Sequence, residues 1–179
     1  MLLSILIPTS KDTKPKLDQL LAILLPQIKG LDGQIEIFLE GDVKMAIGAK
    51  MNSLLKDAIG RYVWFLKDTD LISDTAIQDL FSAFLLEPDV IAISGMSTFN
   101  GRNPCDWAQG INLERKPNHN SPMKRELANM VTFRKRKIDA LEIWAKEINK
   151  INPWITEIEI EKPIIHNRND FREFNYSGC

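Results

Sequence analysis

The stretch Gly60-Arg61-Tyr62-Val63-Trp64-Phe65-Leu66-Lys67-Asp68-Thr69-Asp70 decides how this chain is read. A glycine closes whatever precedes it. An apolar run of aromatic and β-branched character follows, and it ends abruptly in a lysine and two aspartates. A short apolar run bounded by turn residues predicts a buried strand. Upstream, Ile47, Met51, Leu54, Leu55 and Ala58 recur at helical spacing and stop before Gly60, so a helix feeds the strand. Downstream, Ser73, Asp74 and Thr75 are candidate caps for a helix carrying Ile77, Leu80, Phe81 and Phe84, which Pro88 brings to an end.

The same alternation continues outward. Residues 2–7 are a short apolar run closed by Pro8, a first strand. Leu17, Leu20, Leu21, Leu24, Leu25 and Ile28 predict a helix with Pro26 near its end, and Gly30 and Gly33 punctuate the turn after it. Residues 34–39 and 90–93 read as further strands. Strands alternating with helices predict an α/β fold with a mostly parallel central sheet flanked by helices. Right-handed crossovers place the carboxyl ends of such strands on one edge, where ligands bind. The residues leaving the strands there are Pro8-Thr9-Ser10, Glu40-Gly41-Asp42, Lys67-Asp68-Thr69-Asp70 and Ser94-Gly95.

The second half differs. Residues 97–121 are rich in Asn, Pro, Gly and Ser, which is loop chemistry. Ile138, Leu141, Trp144, Ala145 and Ile148 then form a helical stripe, and residues 155–160 alternate Ile with Glu as a half-exposed strand, followed by Pro163-Ile164-Ile165-His166. The expectation is a single domain over residues 1–179, with a ligand-binding half at 1–95 and a second half at 96–179. The chain has 179 residues, 44% of them hydrophobic and 26% charged, enough for an ordinary packed core. A formal net charge of -1 argues against a general nucleic-acid binder. The apolar run at residues 20–25 is too short to span a bilayer, and residues 1–7 lack the basic region of a signal peptide. With only two cysteines, Cys105 and Cys179, a reducing, cytoplasmic location is expected.

Several segments together resemble one family. Ser4 to Ser10 looks like an opening strand with its Pro-Thr turn. Glu36 to Asp42 looks like a strand ending in an acid that holds base or ribose. Gly48-Ala49-Lys50-Met51-Asn52 resembles a Gly-x-Lys-Arg-Asn segment, and Gly60 to Ser73 resembles a strand leading into an acidic metal motif. Pro117 to Glu126 resembles an acceptor-side segment of some bacterial and phage members. In that order the segments are similar to the family 2 glycosyltransferases of GT-A fold. The resemblance implies a Rossmann-like sheet with a small antiparallel extension on the acceptor side. It implies transfer of a sugar, with inversion, from a nucleotide-sugar donor, a UDP-sugar by preference, to a glycan or other hydroxyl acceptor. Pro8, Thr9, Ser10, Asp42, Lys50, Asn52 and His119 are the implied donor contacts, with Lys67, Asp68 and Asp70 at the diphosphate.

The leaving diphosphate needs a cation, and a hard divalent ion such as Mn²⁺ or Mg²⁺ needs only one or two carboxylates. Asp68 and Asp70, if extended, point the same way and could share that ion, with His166 as a further ligand. Lys67 stands where the family places its first metal acid, and its ammonium could replace the ion. The acceptor hydroxyl needs a base. Aligning on Trp144 puts Asp139-Ala140-Leu141 at the family's base position, leaving Asp139 and Glu142 as candidates. Lys67, Met51 and Ala140-Leu141 all depart from the family pattern, which leaves a rival reading: a glycosyltransferase-like binding or structural module without catalysis. Lys124, Arg125 and residues 134–137 form a basic cluster, by default a solvated face, alternatively a phosphate-recognition surface.

Overall fold

Strand β1 (Leu3–Pro8) is buried at every position. The computed structural model, which describes residues 1–86, 92–98, 121–135, 140–151 and 157–167, shows why. β1 lies between β2 (Ile35–Glu40) and β3 (Tyr62–Phe65), both parallel to it, and helices cover both faces. Such a strand has no solvent side, so it is apolar throughout. Its one polar residue, Ser4, is satisfied internally: Gly60 N donates to Ser4 Oγ at 2.8 Å, and Ser4 Oγ donates to Glu36 Oε1 at 2.5 Å.

Alternation along β1 and β3 builds two cores. Leu3, Ile5, Ile7, Tyr62 and Trp64 face α1 (Lys14–Ile28) and α3 (Ala76–Leu86), meeting Leu20, Leu24, Leu80 and Phe84. Leu6, Val63 and Phe65 face the other way, toward Met51 and Leu54 of α2 (Ile47–Asp57) and Trp144 and Ile148 of α5 (Ala140–Ile151). The second core closes on an aromatic cluster in which Phe133 stacks on Trp144 at 4.5 Å and Phe65 meets both rings edge-on. The Trp144 indole Nε1 donates to the Val131 carbonyl at 2.8 Å, satisfying its buried polar end.

The helices follow their apolar periods, with two local details. Pro26 sits in the last turn of α1, and the neighbouring Gln27 uses its carboxamide across the fold. Gln27 Nε2 donates to the Ser73 carbonyl at 2.9 Å, and Gln27 Oε1 accepts from Ile77 N at 3.0 Å, capping the first turn of α3. The predicted caps Ser73, Asp74 and Thr75 thus yield that bond to a side chain from another helix. Gly30 and Gly33, at φ of 87° and 77°, turn the chain from α1 into β2 in a region that favours glycine.

The remaining strands are β4 (Asp70–Ile72), β5 (Ala92–Thr98), β6 (Met123–Lys124) and β7 (Glu157–Asn167), and β6 runs on into the short α4 (Arg125–Ala128). The seven-stranded sheet has the order β2-β1-β3-β6-β5-β7-β4. β1, β2, β3, β5 and β7 run one way, and β4 and β6 run the other. The mostly parallel sheet is as expected. β6 wedges antiparallel between β3 and β5, so those strands are not direct neighbours. Of the strand expected at 90–93, residues 92–93 open β5, which runs on to Thr98, and 90–91 lie outside the described residues; residues 157–160 of the strand expected at 155–160 continue through Pro163 to Asn167, with register shifts near Gly95 and Met96 of the partner strand. Residues 70–72, too short to show a strand period in the sequence, pair antiparallel with β7. Among the described residues no helix is long and apolar enough to cross a membrane.

Gly48 locks α2 to the second half. A methyl group there would lie 2.3 Å from the Arg134 carbonyl oxygen and 3.0 Å from its carbon. Gly48→Ala is expected to cost about 1–3 kcal/mol, the usual penalty of overpacking against backbone. Urea unfolding reads this directly, and an unchanged midpoint would show that residues 131–135 are not held against α2.

Candidate functional site

The exits of β1 and β3 are tied together by one carboxylate. Asp68 follows β3 and is buried, and its Oδ2 accepts from Ser10 N at 3.0 Å and from the Thr13 hydroxyl. Thr13 closes the arrangement: its Oγ1 lies 2.9 Å from Ser10 Oγ and accepts from Ser10 N at 3.2 Å. Residues 10–13 therefore form a rigid turn, continued by the short 3₁₀ turn Lys11–Thr13 into α1. From the other side, Lys50 of α2 is buried and donates its Nζ to the Thr9 carbonyl.

These residues border a pocket at the carboxyl edge of the sheet, lined by Pro8, Thr9, Ser10, Met45, Ile47, Lys50 and Asp68. The structure thus brings together Pro8, Thr9, Ser10, Lys50 and Asp68 from the expected set. Lys67, Asp68, Thr69 and Asp70 form a turn and not an extended run, which corrects the geometry assumed for the two aspartates. Asp70 N donates to the Lys67 carbonyl and Lys67 N donates to Asp70 Oδ2, both at 2.9 Å. Asp68 and Asp70 are both buried, and Lys67 is half-buried beside them.

The other expected residues do not line this pocket or lie outside the description. Asp42 is exposed at the end of β2, where its Oδ1 accepts from Lys44 N at 2.9 Å in the turn leading to α2. Both ends of the Asn52 carboxamide are taken by Phe133: Nδ2 donates to its carbonyl and Oδ1 accepts from its N, each at 2.9 Å. His166 stands in β7 opposite Leu71 of β4, one register step from the Asp70–Asn167 pair. Glu142 lies within α5, and its side chain is outside the description. His119 and Asp139 lie outside the described residues. Thr13 was missed from sequence, although a serine followed three residues later by a hydroxyl side chain is the spacing of a capping pair.

Among the described residues no three His, Cys, Asp or Glu side chains cluster to hold an ion by themselves. Asp68 in the pocket lining, and Asp70 two residues on in the same turn, are nevertheless hard oxygen donors. Mg²⁺ and Mn²⁺ accept one or two carboxylates when a diphosphate and water fill the other positions. The donor set fits an ion shared with a diphosphate, not one caged by protein alone.

No protein-family model matches the chain, and no curated protein matches it in sequence. Solved structures do. Residues 1–349 of S. aureus TarS in complex with UDP-GlcNAc align over 93% of this chain and 58% of theirs, with TM-score 0.65 and 16% identity. The fold is that of the GT-A glycosyltransferases. Glucosyl-3-phosphoglycerate synthase from Mycobacterium tuberculosis, solved with Mn²⁺, UDP and glucosyl-3-phosphoglycerate, aligns over 94% of this chain and 72% of its own, with TM-score 0.68 and 10% identity. The present chain spans about 60% of the TarS fragment and 36% of the longer TarS structure.

The link from Thr13 to Asp68 has a measurable signature. Thr13→Val keeps the shape and deletes the hydroxyl, so amide exchange at residues 10–13 is expected to quicken by about tenfold or more, the equivalent of one charge-assisted bond. Thr13→Ser should restore protection. Equal exchange in Thr13→Val and the parent would show that Asp68 does not hold this turn.

Proposed function

We propose that the protein is a glycosyltransferase that takes a nucleotide-sugar donor, a UDP-sugar by preference, and passes the sugar with inversion to a glycan or other hydroxyl acceptor. The observation that carries this reading is the pocket in which Thr9, Ser10, Lys50 and Asp68 meet at the carboxyl edge of a GT-A sheet. Open α/β sheets bind their ligands at that edge. The solved neighbours, one with UDP-GlcNAc and one with UDP and Mn²⁺, support the donor class.

In this reading the exit of β1 receives the nucleotide, and Lys50 stiffens that exit by holding the Thr9 carbonyl. Asp42 reaches the nucleoside from the end of β2, Asn52 keeps α2 and residue 133 in place around the site, and His119 contributes from the acceptor side. A divalent ion, Mn²⁺ or Mg²⁺, would supply positive charge beside the leaving diphosphate, and Asp68, Asp70 and His166 are the residues that would hold it. Lys67 adds a cation on the same turn and lessens the dependence on the ion. The acceptor oxygen attacks the anomeric carbon as the bond to the diphosphate breaks, and Asp139 or Glu142 takes the hydroxyl proton. The sugar leaves with inverted configuration, and the nucleoside diphosphate carries away the bonding electrons.

A specific observation favours a second reading, a donor-binding module without transfer. Met51 and Ala140, two positions where the resemblance expects functional side chains, are wholly buried, and Met51 packs into the second core.

Calorimetry with UDP and UDP-sugars, with Mn²⁺ and then with EDTA, separates the readings. The transferase is expected to bind UDP more weakly after EDTA and to hydrolyse or transfer the donor sugar. Asp70→Asn should lower turnover by at least about 10²-fold, the scale of losing a charge-stabilising group, with its unfolding midpoint measured alongside because the carboxylate also caps the turn 67–70. Donor binding without turnover across a broad acceptor set selects the module, and no binding of any donor removes both readings.

A further inference from the structure

We propose a second ligand site, for a phosphate group, at the opposite edge of the sheet. The basic cluster seen in the sequence is divided by the fold. Arg134 pairs with Glu147 at 2.7 Å on the surface of α5. Lys124 and Arg125 instead turn into a separate pocket of about 350 Å³, where the pairing of β3 with β6 brings Arg61 beside them. Met1, Ile59 and Glu126 complete its lining.

Lys124 and Arg125 are half-buried. Among the described residues neither makes an ion pair, and Arg125 is fixed only by its Nε, which donates to the Gly60 carbonyl at 3.0 Å. That bond orients the guanidinium while its terminal nitrogens stay available for a forked contact. Half-buried cations without a carboxylate are costly to keep, since burial penalises charge that is not compensated. Lys124 and Arg125 together bring an excess of two positive charges that no carboxylate pairs among the described residues, while Glu126 of the lining is exposed. A phosphate monoester carries about -1.5 to -2 near neutral pH and matches that excess, whereas a carboxylate supplies half of it. The site cannot be part of the donor pocket. It lies at the amino ends of β1 and β3, and β1 alone separates the two by roughly 17 Å at about 3.3 Å per residue. The ligand is therefore a phosphate group, either on a soluble molecule or on a lipid headgroup.

The test is titration of the whole chain with inorganic phosphate, followed by amide chemical shifts and by calorimetry. Shifts are expected at Arg61, Lys124 and Arg125, and Lys124→Gln is expected to weaken binding by about tenfold, the loss of one charge-assisted contact. Lys124 makes no side-chain bond within the described residues, so that variant keeps the fold. Arg125→Gln should weaken binding as much, with its unfolding midpoint measured alongside. Co-sedimentation with phosphatidic acid vesicles but not phosphatidylcholine vesicles, lost in Lys124→Gln, identifies a headgroup as the source. Phosphate binding at these residues without co-sedimentation identifies a soluble one. Shifts confined to residues 8–10 and 68, no binding at millimolar phosphate, or equal affinity in Lys124→Gln would overturn the proposal.

Discussion

A strand buried on both faces and paired on both edges leaves its neighbours little choice. β1 meets that condition from Leu3 to Pro8. Its odd positions require one apolar layer and its even positions another, and α1 with α3 and α2 with α5 supply them. The only polar side chain it carries, Ser4, must be bonded inside, and Glu36 and Gly60 do so. Glu36 Oε1 also accepts from Ile59 N and Gly60 N, so the same carboxylate terminates the chain leaving α2 and starts it into β3. Gly60 has no alternative there, because a methyl group would lie 2.6 Å from Ser4 N.

At the other end of β1, order comes from a second carboxylate. Asp68 binds the turn after β1 through Oδ2, and Asp70 caps the turn 67–70 through its own Oδ2. The aspartates thus have structural duties as well as any duty toward a ligand. A carboxylate held by main-chain donors loses rotamer freedom before a ligand arrives, which lowers the entropy cost of binding. Rigidity and ligand recognition are compatible at Asp68, since both of its bonds among the described residues fall on Oδ2 and leave its other oxygen for a ligand.

Most of the first half was legible in the sequence because strand and helix periods differ and the punctuation is strong. Gly60, Pro8 and Gly30 mark boundaries whose chemistry is local. β6 and β4 were not legible. Met123-Lys124 and Asp70-Leu71-Ile72 are too short to show a period, and they become strands only because β3, β5 and β7 offer open edges to them. The pocket residues Thr9, Ser10 and Asp68 were readable from the rule that strand exits meet on one edge, and Lys50 from the family resemblance of its segment. Thr13 was not, because its bond reaches a residue far away in sequence, and Asn52 looked like a ligand contact when its partner, the Phe133 main chain, could not be foreseen.

The two ends of a parallel sheet differ electrostatically, and this sheet uses the difference. Helices that cross between parallel strands direct their amino termini toward the carboxyl edge, where their unpaired N–H groups favour anions. Ile47, the first residue of α2, lines the pocket there, so the diphosphate of the proposed donor would meet a favourable field before any side chain is counted. The amino edge receives helix carboxyl ends and main-chain carbonyls such as that of Gly60, whose field repels anions and attracts cations. Basic side chains settle there readily, as Arg125 does on that carbonyl. A phosphate at the same edge must be outweighed into place by charge, which is why Arg61, Lys124 and Arg125 converge where the opposite pocket presents one buried lysine.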